Sequence, residues 1–104
     1  MKVTSYEQLE TYEVDGNILS IYWGEDFHLP KGDETEPYWT YDCCKAHTYD
    51  SRSTLIEMIM QTKYPTTGSE IAAIQNGGKA AEEHQQHRAL AKSLVDGWFI
   101  ASKN

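Results

Sequence analysis

The sequence predicts an α+β domain: an N-terminal antiparallel hairpin, extended to a three-stranded sheet, packed on a C-terminal bundle of three helices. Three observations predict it. Apolar residues alternate with polar ones in the first half and recur at helical spacing in the second. Glycine and proline punctuate both halves where turns and caps are needed. Charge and aromatic content break at the same place. Residues 1–50 hold eleven acidic and three basic side chains, net −8, and nine aromatics. Residues 51–104 hold five acidic and six basic side chains, net +1, and three aromatics. At 104 residues the chain has the length of a single domain, 1–104, with an acidic aromatic β half (1–50) and a helical half (51–104).

The elements follow in order. Ser5–Leu9 suits either a short strand or an opening turn. Tyr12 and Val14 alternate with Thr11 and Glu13, a strand pattern. Asp15-Gly16-Asn17 then supplies a hairpin turn, because Gly and Asn accept positive φ at little cost. Ile18–Trp23 is rich in β-forming residues, with Leu19, Ile21 and Trp23 on one face and Ile18, Ser20 and Tyr22 on the other. Gly24–Pro37 reads as a long loop, and long loops in compact domains are functional or mobile. A third strand is expected over Tyr38–His47, where Trp39, Tyr41 and Cys43 alternate with Thr40, Asp42 and Cys44.

The first helix is expected from Asp50 or Ser51, with Thr54 and Glu57 at capping-box spacing, and Tyr64-Pro65 as its stop. Its run Leu55-Ile56-Glu57-Met58-Ile59-Met60 is apolar on most sides. A short helix, Ser69–Asn76, ends at Gly77-Gly78. The third runs from about Lys79 to Ala101. Its stripe of Ala80, His84, His87, Ala91, Leu94 and Trp98 is weakly apolar in the first half, which predicts an edge or a partner surface there. Gly97 favours fraying near its end, since Gly in a helix interior costs about 1 kcal/mol.

Several classes are excluded or disfavoured. No apolar run follows Lys2, against a secretory signal, and no apolar stretch approaches the length of a bilayer span. The two cysteines, Cys43 and Cys44, are adjacent, and sequence neighbours rarely bridge each other; free thiols and a cytoplasmic location are expected. Clustered Lys and Arg are lacking, against direct binding to nucleic acid.

Four constellations could carry chemistry. His84 and His87 lie three apart on one helix face, a spacing that can grip a divalent metal, with Cys43, Cys44 and His47 as further ligands. The same pair suits partly exposed helix residues among glutamines, and no CxxC or HExxH motif accompanies it. Cys43 or Cys44 could act as a nucleophile with a histidine base, yet thiols on strands are usually small core residues. Carboxylates Glu25-Asp26 and Asp33-Glu34-Glu36 flank Trp23, Phe27, Tyr38 and Trp39, an arrangement shared by sugar-binding sites and by ordinary acidic loops. The acidic half could also mimic nucleic acid in a basic groove. Gly77-Gly78-Lys79 lacks the glycine spacing of a phosphate loop and reads as a helix cap.

Over Arg52–Phe99 the order Leu55–Met60, Lys63-Tyr64, Ser69-Glu70-Ile71-Ala72, Asn76 and a long helix with Arg88, Ala91 and Lys92 resembles the C-terminal part of small phage and prophage-type proteins of gut bacteria. The resemblance implies a mobile-element accessory context and brings no activity and no site residues.

The expectation is therefore a non-enzymatic interaction or accessory protein without a cofactor, acting on a protein partner or on a second copy of itself, and not on nucleic acid or membrane. Its contact surface is expected at Trp23, Phe27, Tyr38, Trp39 and Tyr41, where aromatic residues favour interface anchoring. The alternatives are a metal- or ligand-binding domain using His84 and His87, and an acidic nucleic-acid mimic.

Overall fold

The computed structural model describes residues 2–29 and 36–102. The chain forms two compact units, Met1–Tyr49 and Asp50–Asn104, whose boundary lies one residue from the break in composition. The α+β reading stands: strands fill the first unit and helices the second.

The first unit is a four-stranded antiparallel sheet of β1 (Lys2–Ser5), β2 (Tyr12–Asp15), β3 (Ile18–His28) and β4 (Tyr38–His47), in the order β1-β4-β3-β2. The expected three strands are joined by β1. It occupies Lys2–Ser5 rather than Ser5–Leu9, and Val3 is its single apolar residue. The hairpin turn is Gly16-Asn17, closed by Asp15 opposite Ile18. Gly16 takes φ +61° and Asn17 does not have positive φ, so only the glycine uses the freedom of the turn.

The register puts Leu19 opposite Ala46 and Ile21 opposite Cys44, so these four share one face, and all four are buried. Tyr22 stands opposite Cys43 on the other face, where it meets Tyr41 edge-on at 5.9 Å. The expected loop beginning at Gly24 is corrected: β3 continues to His28. The register slips between Trp23 and Asp26, a bulge that places one extra residue on β3. Gly24 makes it possible. Its φ is +64°, and a Cβ there would lie 2.8 Å from Asp42 Oδ2. The central part of that expected loop, residues 30–35, lies outside the described residues.

β1 and β2 lie on opposite edges, so residues 6–11 must cross the sheet. They do so beside Tyr41. The Leu9 N–H donates to Tyr41 Oη at 2.9 Å, Tyr41 Oη donates to Glu25 Oε1 at 2.7 Å, and Gln8 Nε2 donates to the same carboxylate at 3.0 Å. Tyr22 N–H then donates to the Thr11 carbonyl at 2.8 Å, which delivers the chain to β2.

The second unit holds α1 (Arg52–Lys63), α2 (Thr67–Asn76) and α3 (Gly78–Ser102). Ser51 caps α1 by accepting from Thr54 N–H. Thr54 therefore sits inside the helix, and the expected Thr54–Glu57 box does not form. The capping box is instead on α2, where Thr66 and Ser69 accept from each other's N–H at 3.0 and 3.2 Å. Leu55, Ile56, Ile59 and Met60 of α1 are buried, as are Ala91, Val95 and Trp98 of α3. α2 buries no residue, and its Ile71 and Ile74 are exposed. Helical geometry persists through Gly97 to Ser102.

Candidate functional site

The bulge at Gly24 realigns β3 so that its last residues run in register with the start of β4. Asp26 stands opposite Thr40, Phe27 opposite Trp39, and His28 opposite Tyr38. Successive strand residues point to opposite faces, so this end of the sheet presents one ring pair on each face. The Phe27 and Trp39 rings are 5.0 Å apart at a tilt of 49°. The His28 and Tyr38 rings stack at 4.7 Å, 8° from parallel. His28 Nε2 is also 3.1 Å from Thr40 Oγ1 and 3.5 Å from Asp26 Oδ2. Phe27 is 50% exposed and the adjoining Leu29 69%, while Tyr38 and Trp39 are half-buried.

Four of the five expected contact residues thus remain accessible: Phe27, Tyr38, Trp39 and, nearer the bulge, half-buried Trp23 opposite Asp42. Tyr41 is corrected. It is 2% exposed, and its hydroxyl is spent on Leu9 and Glu25. Burial, and then donation to a carboxylate that would repel a phenolate, push its pKa above the usual 10.0. Of the carboxylates expected beside the aromatics, Glu25, Asp26 and Glu36 are exposed, with Glu25 bonded to Tyr41 and Gln8, and Asp33 and Glu34 lie outside the described residues. His28 escaped the sequence reading because its stacking partner, Tyr38, is ten residues away in the sequence.

The histidines of α3 are buried rather than partly exposed, at 6% for His84 and 9% for His87. His84 Nε2 donates to Glu70 Oε1 at 2.8 Å, and Arg88 Nη2 donates to the same oxygen at 2.7 Å. His87 Nε2 donates to the Ile59 carbonyl at 3.0 Å. The Tyr64 ring lies 5.2 Å from His84 and 6.1 Å from His87. The weakly apolar start of the α3 stripe is therefore corrected: it is closed within this unit by α1 and α2 and is no open surface. Glu70 is held below the usual carboxylate pKa by His84 first and Arg88 second, against an opposing effect of burial. No local signal announces Glu70, which reaches His84 from a different helix.

Both imidazoles are thus engaged with separate partners, and among the described residues no three His, Cys, Asp or Glu side chains converge in a way that could hold a metal ion. Cys43 and Cys44 are buried and form no disulfide. Burial pushes the Cys43 thiol up from its usual pKa, which disfavours the nucleophilic thiolate. His47 stacks on Tyr49 at 5.0 Å. It stands four residues along β4 from Cys43, roughly 13 Å at strand rise, and on the opposite face from Cys44. Neither thiol has this histidine as a base. A cavity of about 220 Å³ opens at the α1–α2 turn, bounded by Glu57, Met60, Tyr64, Thr66 and Glu70. The Glu70 carboxylate on its wall is already paired with His84 and Arg88.

No protein-family model, curated protein or solved structure matches the chain. Among the described residues, no helix is long and apolar enough to cross a membrane.

Proposed function

We propose that this chain is a non-enzymatic interaction or accessory protein that engages another protein through the aromatic end of its sheet. The phage or mobile-element setting implied by the helical half, and a cytoplasmic location, belong to this proposal. The observation that carries it is the Phe27–Trp39 ring pair, held in register at a strand end with Phe27 half exposed and Leu29 beside it. A Phe side chain is worth about 1.5–3 kcal/mol when fully buried, so a half-exposed one leaves on the order of 1 kcal/mol for a partner to recover. Rings also lose little side-chain entropy on binding, which makes them favoured anchors. Three of the candidate reacting groups have structural roles, which supports the reading: His84 and His87 hold helices together, and Glu25 holds the 6–11 crossing.

The test is selection of a random peptide display library on the wild-type chain, with counter-selection on Phe27→Ala. Enriched sequences that bind wild type and lose about tenfold or more in affinity on Phe27→Ala support the reading. No enrichment, or binders indifferent to Phe27→Ala, would overturn it.

A further inference from the structure

We infer that the partner of this surface is an arginine-bearing, net basic segment of another protein, and not a second copy of this chain. The inference rests on the protein-contact reading above and specifies what the contact recognises.

Charge complementarity argues it first. The half of the chain that carries the ring pairs has net charge −8. Of its three bases, Lys2 is paired with Asp42 at 3.2 Å, Lys45 stands opposite Ser20 at the other end of β3, and Lys31 lies outside the described residues. The exposed carboxylate of Asp26 has His28, at 3.5 Å, as its one ion-pair partner among the described residues, and Glu36 is exposed two residues before Tyr38. Two copies meeting through this end would bring these carboxylates together, which costs energy at short range and in low dielectric.

The aromatic groups decide between the two basic side chains. A lysine ammonium would gain only from the charge. A guanidinium gains twice, because it is planar. It stacks on an accessible ring and forks two N–H donors onto a carboxylate. The aromatic end supplies both parts in the half-buried Tyr38 ring and the exposed Asp26 carboxylate, with the Phe27–Trp39 pair on the opposite face. Tyr38 and Asp26 share one face of the sheet, since each lies in register with a residue of the His28–Thr40 set.

The experiment measures fluorescence anisotropy of three labelled peptides of equal length, alternating serine with arginine, lysine or glutamate, against the whole chain. The arginine peptide is expected to bind, the lysine peptide about tenfold more weakly, and the glutamate peptide not at all. Tyr38→Ala, which removes the ring on the Asp26 face, is expected to remove the preference for arginine over lysine. Asp26→Asn is expected to weaken both basic peptides several-fold, and raising salt to weaken them further. Circular dichroism of each variant confirms that the sheet is retained. Absence of arginine-peptide binding overturns the inference, as does equal binding of arginine and lysine peptides that ignores Tyr38→Ala, which would mark diffuse charge alone. Neutral or acidic peptides enriched in the display selection and lost on Phe27→Ala would leave the contact surface standing and remove the basic partner. A dimer by sedimentation equilibrium that Phe27→Ala dissociates would make the occupant a second copy and overturn it too.

Discussion

Glu70 on α2 and His84 on α3 meet at 2.8 Å, and this polar contact docks a helix that buries no residue of its own. Arg88 adds a second donor to the same oxygen at 2.7 Å. An ordinary amphipathic helix is held by an apolar stripe. α2 turns Ile71 and Ile74 to solvent and presents a carboxylate inward instead. Glu70→Ala leaves the buried His84 N–H without its acceptor, a cost of about 1–3 kcal/mol. The expected result is loss of amide hydrogen-exchange protection over α2, with β3 and β4 unchanged. Protection retained across Thr67–Asn76 would show that α2 is held by something other than Glu70.

The same contact sets a pH dependence whose sign is fixed. The native pKa of Glu70 is lowered below its ordinary value of 4.5, so its contribution to stability is complete above that value. It declines as pH falls from there through the lower native pKa. Urea denaturation of wild type and Glu70→Gln across that acid range should therefore converge. The difference in stability is largest at neutral pH and shrinks with acid. A difference constant down to the lowest pH would remove the ion-pair account.

How much of this was legible depends on whether the governing contact is local. The Tyr12–Asp15 and Ile18 hairpin could be read because its turn, Gly16-Asn17, sits beside the strands it joins. The stop at Tyr64-Pro65 is local too. β1 was obscured because Lys2-Val3-Thr4-Ser5 offers one apolar residue, and its pairing partner, Trp39–Asp42, lies over thirty residues away. Gly24-Glu25-Asp26 looks like loop because none of the three favours strands, yet the glycine is what lets β3 bulge and continue. The aromatic contact residues were visible as a cluster. Tyr41 was misplaced among them because alternation says which residues share a face, and not which part of that face a crossing segment covers.

Tyr41 therefore makes a stability prediction rather than a binding one. Tyr41→Phe keeps the ring and removes the hydroxyl, leaving Leu9 N–H without its acceptor and the Glu25 carboxylate with Gln8 Nε2 but not the phenol as donor. The expected cost is about 1–3 kcal/mol in chemical denaturation. Because the native pKa is raised, the wild-type contribution is complete below pH 10 and is lost as pH rises through the native value. Ultraviolet difference titration should show Tyr41 among the phenols that ionise above the usual 10.0, with Tyr12 and Tyr22, whose pKa values burial also raises. Loss of one such phenol in Tyr41→Phe assigns it, and an unchanged late titration would contradict the raised pKa of Tyr41.

Gly24 and Gly16 both have positive φ, at +64° and +61°, but only Gly24 faces a neighbour where a Cβ would be. The left-handed conformation costs an L-residue about 1–2 kcal/mol at either site. At Gly24 the added methyl also displaces Asp42, whose other oxygen is paired with Lys2 at 3.2 Å. Gly24→Ala should thus destabilise more than Gly16→Ala, and should loosen the β1–β4 edge as well. The comparison is read from the two urea midpoints and from hydrogen exchange at Val3 and Ser5. Equal destabilisation would mean that Asp42 moves aside freely.

The adjacent thiols give the last prediction. Cys43 and Cys44 are both buried, at 1% and 5% exposure, and burial raises the Cys43 pKa away from the thiolate form. They are neighbours on β4, so their side chains leave on opposite faces of the sheet and cannot bridge without breaking the strand. An aromatic disulfide reagent should modify neither thiol of the native chain on the timescale of the denatured control, and both should react together once the sheet opens. The reaction rate then reports opening of β4 and should rise in Gly24→Ala, because that substitution strains the strand next to it. A fast native reaction at one thiol, with the other protected, would contradict the burial and would identify that cysteine as accessible for chemistry.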